Sequence, residues 1–403
     1  MTNTPPRTPP PTTTGIARWQ GPALIAGIVG IALTAVGWFL DPKTAFRAYL
    51  PSYIFWFEIV AGSLAVLMLQ YVTGGEWGLM IRRPLGASAR TMLVMLVFFI
   101  PVALGMLWGY IYPWTDRALM AHDHVLSQKV SYLNPAAWLI RSAIYFALWI
   151  LWAWRIRFLS LRFYEDRSPY TELSRRKWAA SGLLMIVLTL TFASVDWLMS
   201  LEPKWYSSMY GITVVISAGL AAFAFVTFFL TRLAGTPALG EILRPNHLRD
   251  LGNLMLAFVM LWAYTSFSQY LLIWYANVKE EIPYYLSRQY GMWGAIAALL
   301  ILFHFFLPFF MLLMRAIKDR ASTIAVVTVI ILVMRYVHIY WLTAPSYGAR
   351  FHYSWVNLAS LVGIGGIWLY FFIGQLKGQT IIPIHETWVE EAIREGALKI
   401  EHA

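Results

Sequence analysis

Ten runs of roughly 20 apolar residues occupy most of this chain, and each is long enough to cross a bilayer core as a helix. They lie near Pro22–Leu40, Tyr49–Val72, Ala89–Tyr112, Pro135–Phe158, Trp178–Leu201, Tyr206–Leu233, Leu251–Ala276, Tyr290–Arg315, Ser322–Thr343 and Ser354–Leu376, and are numbered here as spans 1 to 10. A backbone crossing lipid must satisfy its own polar groups, which leaves helices for runs of this length. Composition agrees. Charged residues make up 13% of the 403 residues, against about 25% in soluble domains. The expected fold class is an all-α integral membrane protein of about ten transmembrane helices. The first run is followed by Asp41-Pro42-Lys43 rather than small residues, so it reads as a retained span, with a cleaved signal as the alternative.

The formal charge of +11 does not suit nucleic acid, because so few charges on an apolar chain cannot line a groove. Their distribution suits topology. With ten spans both termini share a side, and the termini plus alternate loops hold 21 of the 31 Lys and Arg, against 8 in the other loops. Arg141 and Arg335 lie inside spans. The positive-inside rule then places both termini in the cytoplasm. The Arg155–Lys177 segment alone holds seven basic residues, which reads as topology and anionic-lipid contact, or else as docking of an acidic partner. Trp and Tyr at span ends, among them Trp114, Trp197, Trp274 and Trp341, form an aromatic belt.

Cysteine is absent, which excludes disulfides, thiolate-held iron–sulfur clusters and haem attached through Cys-x-x-Cys-His. Eight His, mostly at loops and ends, argue against a dihaem cytochrome or a haem–copper site. His304 and His338 are the one facing pair, at different expected depths. His122-Asp123-His124 is a weak metal candidate, more simply a solvated or partner-facing loop.

A faint repeat joins Asp196…Pro203, closing span 5, to His338…Pro345, closing span 9; in both an ionisable residue sits seven before a Pro. The four-span offset predicts two four-helix bundles, spans 2–5 (about 48–201) and 6–9 (about 206–343), flanked by spans 1 and 10 within a membrane domain of 19–376. A Pro/Thr-rich disordered tail, 1–18, and a C-terminal tail, 377–403, complete the chain on the cytoplasmic side.

Ionisable residues inside spans are costly and each is a functional candidate. Glu58, Arg141, Asp196, Arg335 and His338 are expected in the outer third, by counting from flanking Pro residues, and His304 near mid-membrane. Two acids and two arginines at one depth suit a buried ion-pair network. The same groups suit a proton relay of Asp250, His304, His338, Asp196 and Glu58, with Arg141 and Arg335 tuning their charge; quinone contacts are a third use. Asp250 sits at the inner mouth, where it also suits the helix N-terminus. Span 7, with Tyr264, Ser266, Ser268, Gln269 and Tyr270, is polar enough to face protein.

The runs Val195–Ser208, Trp262-Ala263-Tyr264, Phe267–Asn277, His304–Phe309 and Tyr340-Trp341-Leu342 together resemble the F-type membrane subunit of alternative complex III, a bacterial quinol:electron-acceptor oxidoreductase. The resemblance covers spans 2 to 10. It implies the polysulfide-reductase type of paired bundles in the bacterial cytoplasmic membrane. It also implies a homologous membrane subunit, an iron–sulfur subunit and haem c subunits as partners. Electrons would pass from a menaquinol-type quinol to a periplasmic acceptor in the respiratory chain. The working quinol site is expected in the sister subunit, and a proton path in this chain, which would carry no redox centre of its own. The family pattern leads one to expect an acid near 338 and a His near 335; this chain has His338 and Arg335 instead, so His338 stands where the acid would. The rival readings are a structural scaffold without proton or quinone chemistry, a secondary transporter, and a chain with its own quinone pocket.

Overall fold

The computed structural model describes residues 15–166, 168–234, 243–348 and 350–377. Most of both expected tails, residues 1–14 and 378–403, lies outside the described residues. Residues 15–18 do not: Ile16 is buried, and a short turn over Ala17–Trp19 leads into span 1. Among the described residues the structure is helical, without strands. Among the described residues nine helices are long and apolar enough to cross a membrane, or ten if one bent pair counts as a single span. The chain is an α-helical, multi-pass membrane protein.

The observed spans follow the apolar runs, with instructive departures at their ends. Span 1 is Gln20–Leu40, and span 2, Pro42–Thr73, starts one residue later. Asp41 caps it by accepting from the Thr44 backbone N–H at 3.1 Å, and Pro42 fills a first-turn position where its missing N–H costs nothing. Pro51 therefore lies inside the helix rather than at its entry, and Glu58 sits mid-helix, deeper than a count from Pro51 places it. Span 3 is the bent pair: Glu76–Ala89 joins Met92–Leu107 at 44°. Its first arm, including helix Leu79–Ala89, corrects the expectation of a plain loop before Ala89. That helix is almost wholly buried against spans 2, 6 and 10, and its Arg82 donates to Gln70 Oε1 at 2.9 Å.

Span 4 is Pro135–Asp166, span 5 Pro169–Trp197, span 6 Ser208–Leu233 and span 7 Pro245–Ala276. Span 8 runs Gly291–Leu300, a π turn Ile301–Phe306, then Leu307–Leu313; span 9 is Ala321–Thr343 and span 10 Trp355–Leu376. The π turn has a local cause. Pro308 lacks an N–H and its ring crowds the carbonyl four residues back, that of His304, so the helix widens there.

Span 2 is the central element: 83% of its apolar window is buried, against 22% for span 1. It packs on the Met92–Leu107 arm and on spans 5, 6, 9 and 10. Spans 6, 7, 8 and 9 also contact one another in a ring. Spans 1 and 10 pair closely along glycines: a Cβ on Gly30 would lie 2.4 Å from the Gly363 backbone N, and one on Gly27 2.5 Å from that of Ile367. Without a hydrophobic difference between helix and lipid, such backbone approach is what holds spans together. Loop ends are tied by small devices. Asp123 accepts from the Val125 and Leu126 backbone N–H groups at 3.0 and 3.2 Å and pairs with Lys204, a capping role rather than a ligand role. Among the described residues no three metal-ligating side chains cluster.

Candidate functional site

Four of the expected residues meet in one buried cluster. Arg335 on span 9 donates through Nε and Nη2 to both oxygens of Glu58 on span 2, each at 2.7 Å. Both residues are at most 1% exposed by side chain. One turn along span 9, His338 accepts from Arg335 Nη1 at Nδ1, which leaves Nε2 to carry the ring proton. His304 on the π turn of span 8 faces His338 with ring centroids 6.0 Å apart, and Trp262 of span 7 packs edge-on against both, at 4.3 and 5.2 Å. The cluster thus joins spans 2, 7, 8 and 9. The carboxylate beside Arg335 and His338 comes from Glu58 of a different helix, which no count along span 9 could reveal.

A second cluster forms at Asp196. Arg141 on span 4 grips it bidentately, at 2.9 and 2.8 Å, and the Tyr145 hydroxyl donates to Oδ2 at 2.8 Å. Tyr132 lies under the guanidinium, 3.8 Å from its carbon to the ring centre. The Asp196 carboxylate is fully buried, while Arg141 is 19% exposed. The two clusters are not hydrogen-bonded to each other. Phe57, the neighbour of Glu58, stands against Trp197, the neighbour of Asp196, at 5.1 Å, with Tyr53, Phe99 and Phe146 packed around Trp197. An aromatic wall therefore separates Asp196 from the other four residues.

Asp250 stands apart as well. It lies half-buried on the second turn of span 7, twelve residues before Trp262, about 18 Å along a helix. Its neighbours bind one another instead: Lys318 donates to Asn253 Oδ1 at 2.6 Å and Arg249 pairs with Asp319 at 2.9 Å.

The sequence reading passed over three groups. Arg288, counted there as a loop cation, is fully buried and bound to Glu202 at 2.6 Å. Its guanidinium carbon lies 3.8 Å from the Tyr284 ring centre, and Tyr284 stacks on Trp205 at 3.8 Å. Trp262, read as part of a motif, is the joint between the two histidines. Tyr145 completes the Asp196 site, and its spacing of four from Arg141 on one helix face was the available signal. A scan against protein-family models finds no match, and a search of curated proteins finds none.

Proposed function

We propose that this chain is an integral membrane subunit of an alternative-complex-III-type quinol oxidoreductase, and that it provides a proton path beside the electron-transfer subunits. The buried hydrogen-bonded series His338, Arg335 and Glu58, with His304 close by across the Trp262 ring, supports this reading above all. Imidazole and carboxylate at the two ends of a guanidinium form a unit whose charge can be exchanged. A proton reaching His338 Nδ1 breaks the hydrogen bond from Arg335 Nη1, and its loss restores that bond, while Arg335 stays paired with Glu58. The ring of spans 6–9, and spans 3 and 5 packed on span 2, suit the paired-bundle arrangement, and the Glu58–Arg335 pair would bridge them. In this reading the basic loops and both termini are cytoplasmic, and the sister membrane subunit, iron–sulfur subunit and haem c subunits hold the quinol and redox centres.

The second reading, a scaffold whose charges only assemble the complex, is favoured by one observation: both buried carboxylates are already held bidentately by arginine. Proton release per quinol oxidised, measured in liposomes carrying the purified complex, separates the two. A relay predicts that His338→Gln and Glu58→Gln complexes assemble and turn over but release fewer protons. Loss of assembly in both supports the scaffold. Normal assembly, turnover and proton yield in both removes the relay.

A further inference from the structure

A cavity of about 660 Å³ opens beside this cluster, between spans 7 and 8. That volume falls within the usual range for small-molecule sites. Its opening has a structural cause. Span 7 packs along the π turn and Leu307–Leu313, whereas the first half of span 8, Gly291–Leu300, leans toward span 9. The two spans therefore splay, and the mouth is rimmed by lining residues that face outward: Phe267, Ile301 and Phe306 are 61%, 54% and 42% exposed. On a membrane-embedded chain this mouth faces lipid rather than water.

The cavity's inner wall is of another character. Trp262, Tyr284 and Arg288 line it, are each at most 5% exposed, and carry the donors Trp262 Nε1, Tyr284 Oη and Arg288 Nε without an acceptor among the described residues. Ser266 Oγ, also lining, is in the same position. Burial pushes the Tyr284 hydroxyl up to about 12, so it remains a donor at neutral pH. A buried donor without an acceptor is costly, so a cluster of them facing an apolar slot suits a ligand bearing acceptor oxygens. Charge narrows the class further. The lining guanidiniums, Arg288 and Arg335, are each already matched by a carboxylate, Glu202 and Glu58, and among the described residues no acid lines the cavity. An anionic ligand would have to displace those partners; a neutral one need not.

We infer that the cavity between spans 7 and 8 is a lateral binding site for a neutral amphiphile whose head offers carbonyl oxygens to Trp262, Ser266, Tyr284 and Arg288 and whose apolar tail leaves through the mouth into lipid. The inference rests on the membrane embedding of the chain and not on its assignment to a quinol-oxidising complex. Two sources share this chemistry, a prenyl-type quinone with ring carbonyls and a neutral glycerolipid with ester carbonyls.

The test is native mass spectrometry of the purified full chain in detergent, titrated with a decyl-tailed naphthoquinone, with dioleoylglycerol, or with dioleoylphosphatidylglycerol as the anionic comparison. One neutral probe is expected to bind one-to-one, at least about ten-fold tighter than the anionic lipid, and the better of the two names the source. Ala297→Trp, which fills the lining beside the mouth, is expected to weaken that binding about ten-fold or more. Trp262→Phe keeps the ring contacts but removes a donor, and is expected to weaken it about five-fold, the size of one net hydrogen bond. Failure of both neutral probes, preference for the anionic lipid, or unchanged binding in both variants overturns the site. Because no turnover is measured, these outcomes are independent of the proton-release experiment.

Discussion

Arg335 holds a carboxylate with one face and an imidazole with the other, and this sharing makes it the most consequential side chain in the molecule. Removing one partner of a buried pair leaves the other charge uncompensated, which costs about 3–5 kcal/mol, whereas replacing both by apolar residues of similar volume is often neutral. Glu58→Leu is therefore expected to lower unfolding stability in detergent by about 3–5 kcal/mol, and Glu58→Leu with Arg335→Leu to recover most of it. The double variant is expected to remain defective in proton release, because it has lost the carboxylate and the guanidinium that link His338 to Glu58. Equal stability of single and double variants, by denaturant unfolding, would show that water already solvates the site. At the loop, the Lys204 ammonium and the backbone N–H groups of Leu126 and Val125 hold the Asp123 carboxyl below its ordinary 3.8. A lowered folded value means that its contribution is complete above 3.8 and is lost as pH falls through the folded value. Amide protection of Val125 and Leu126, taken relative to the unstructured peptide at the same pH, is expected to fall as pH drops below 3.8, and Asp123→Asn to remove that dependence.

At the scale of helices, close backbone approach decides which spans pair. Gly30 and Gly363 leave no room for a side chain between spans 1 and 10. Gly30→Val is expected to cost about 1–3 kcal/mol or more through overpacking, read as a lower thermal midpoint in detergent, while Gly21→Val, where a Cβ meets nothing within 4 Å, is expected to be near neutral. Span 8 shows the same principle in a different form. Its π turn exists because Pro308 sits four residues after His304, and the wider turn carries that imidazole against Trp262. Pro308 was visible in the sequence inside span 8, although the sequence reading drew nothing from it. The turn type it produces was not visible, because the choice between a kink and a π turn depends on what packs around it. The helix Leu79–Ala89 was missed for a related reason: Arg82, Arg83 and Pro84 make it look like a cytoplasmic loop, and only Gln70 and the surrounding helices make a place for its guanidinium.

For the molecule as a whole, the absence of cysteine makes orientation directly testable. The positive-inside reading expects Tyr170→Cys to react with a membrane-impermeant maleimide only after cells are opened, and Val125→Cys to react in intact cells. Both positions are exposed, at 77% and 42%. The reverse pattern would invert the topology and with it the side from which any proton path opens.

The membrane class, the approximate positions of the nine or ten apolar helices, and the charges within them could be read along the chain. All of these follow from local quantities: the length of an apolar run, the cost of a charge in lipid, and the placement of basic loops. Glu58, Arg141, Asp196, His304, Arg335 and His338 were legible for that reason. The tertiary structure alone decided their partners: Glu58 with Arg335, Asp196 with Arg141 and Tyr145, and an aromatic wall between the two groups. Depth along a helix is a one-dimensional property, but contact depends on the rotation of each helix and on which neighbours it meets. Glu58 and Arg335 are 277 residues apart, and their meeting is set by the packing of spans 2 and 9 rather than by any local pattern.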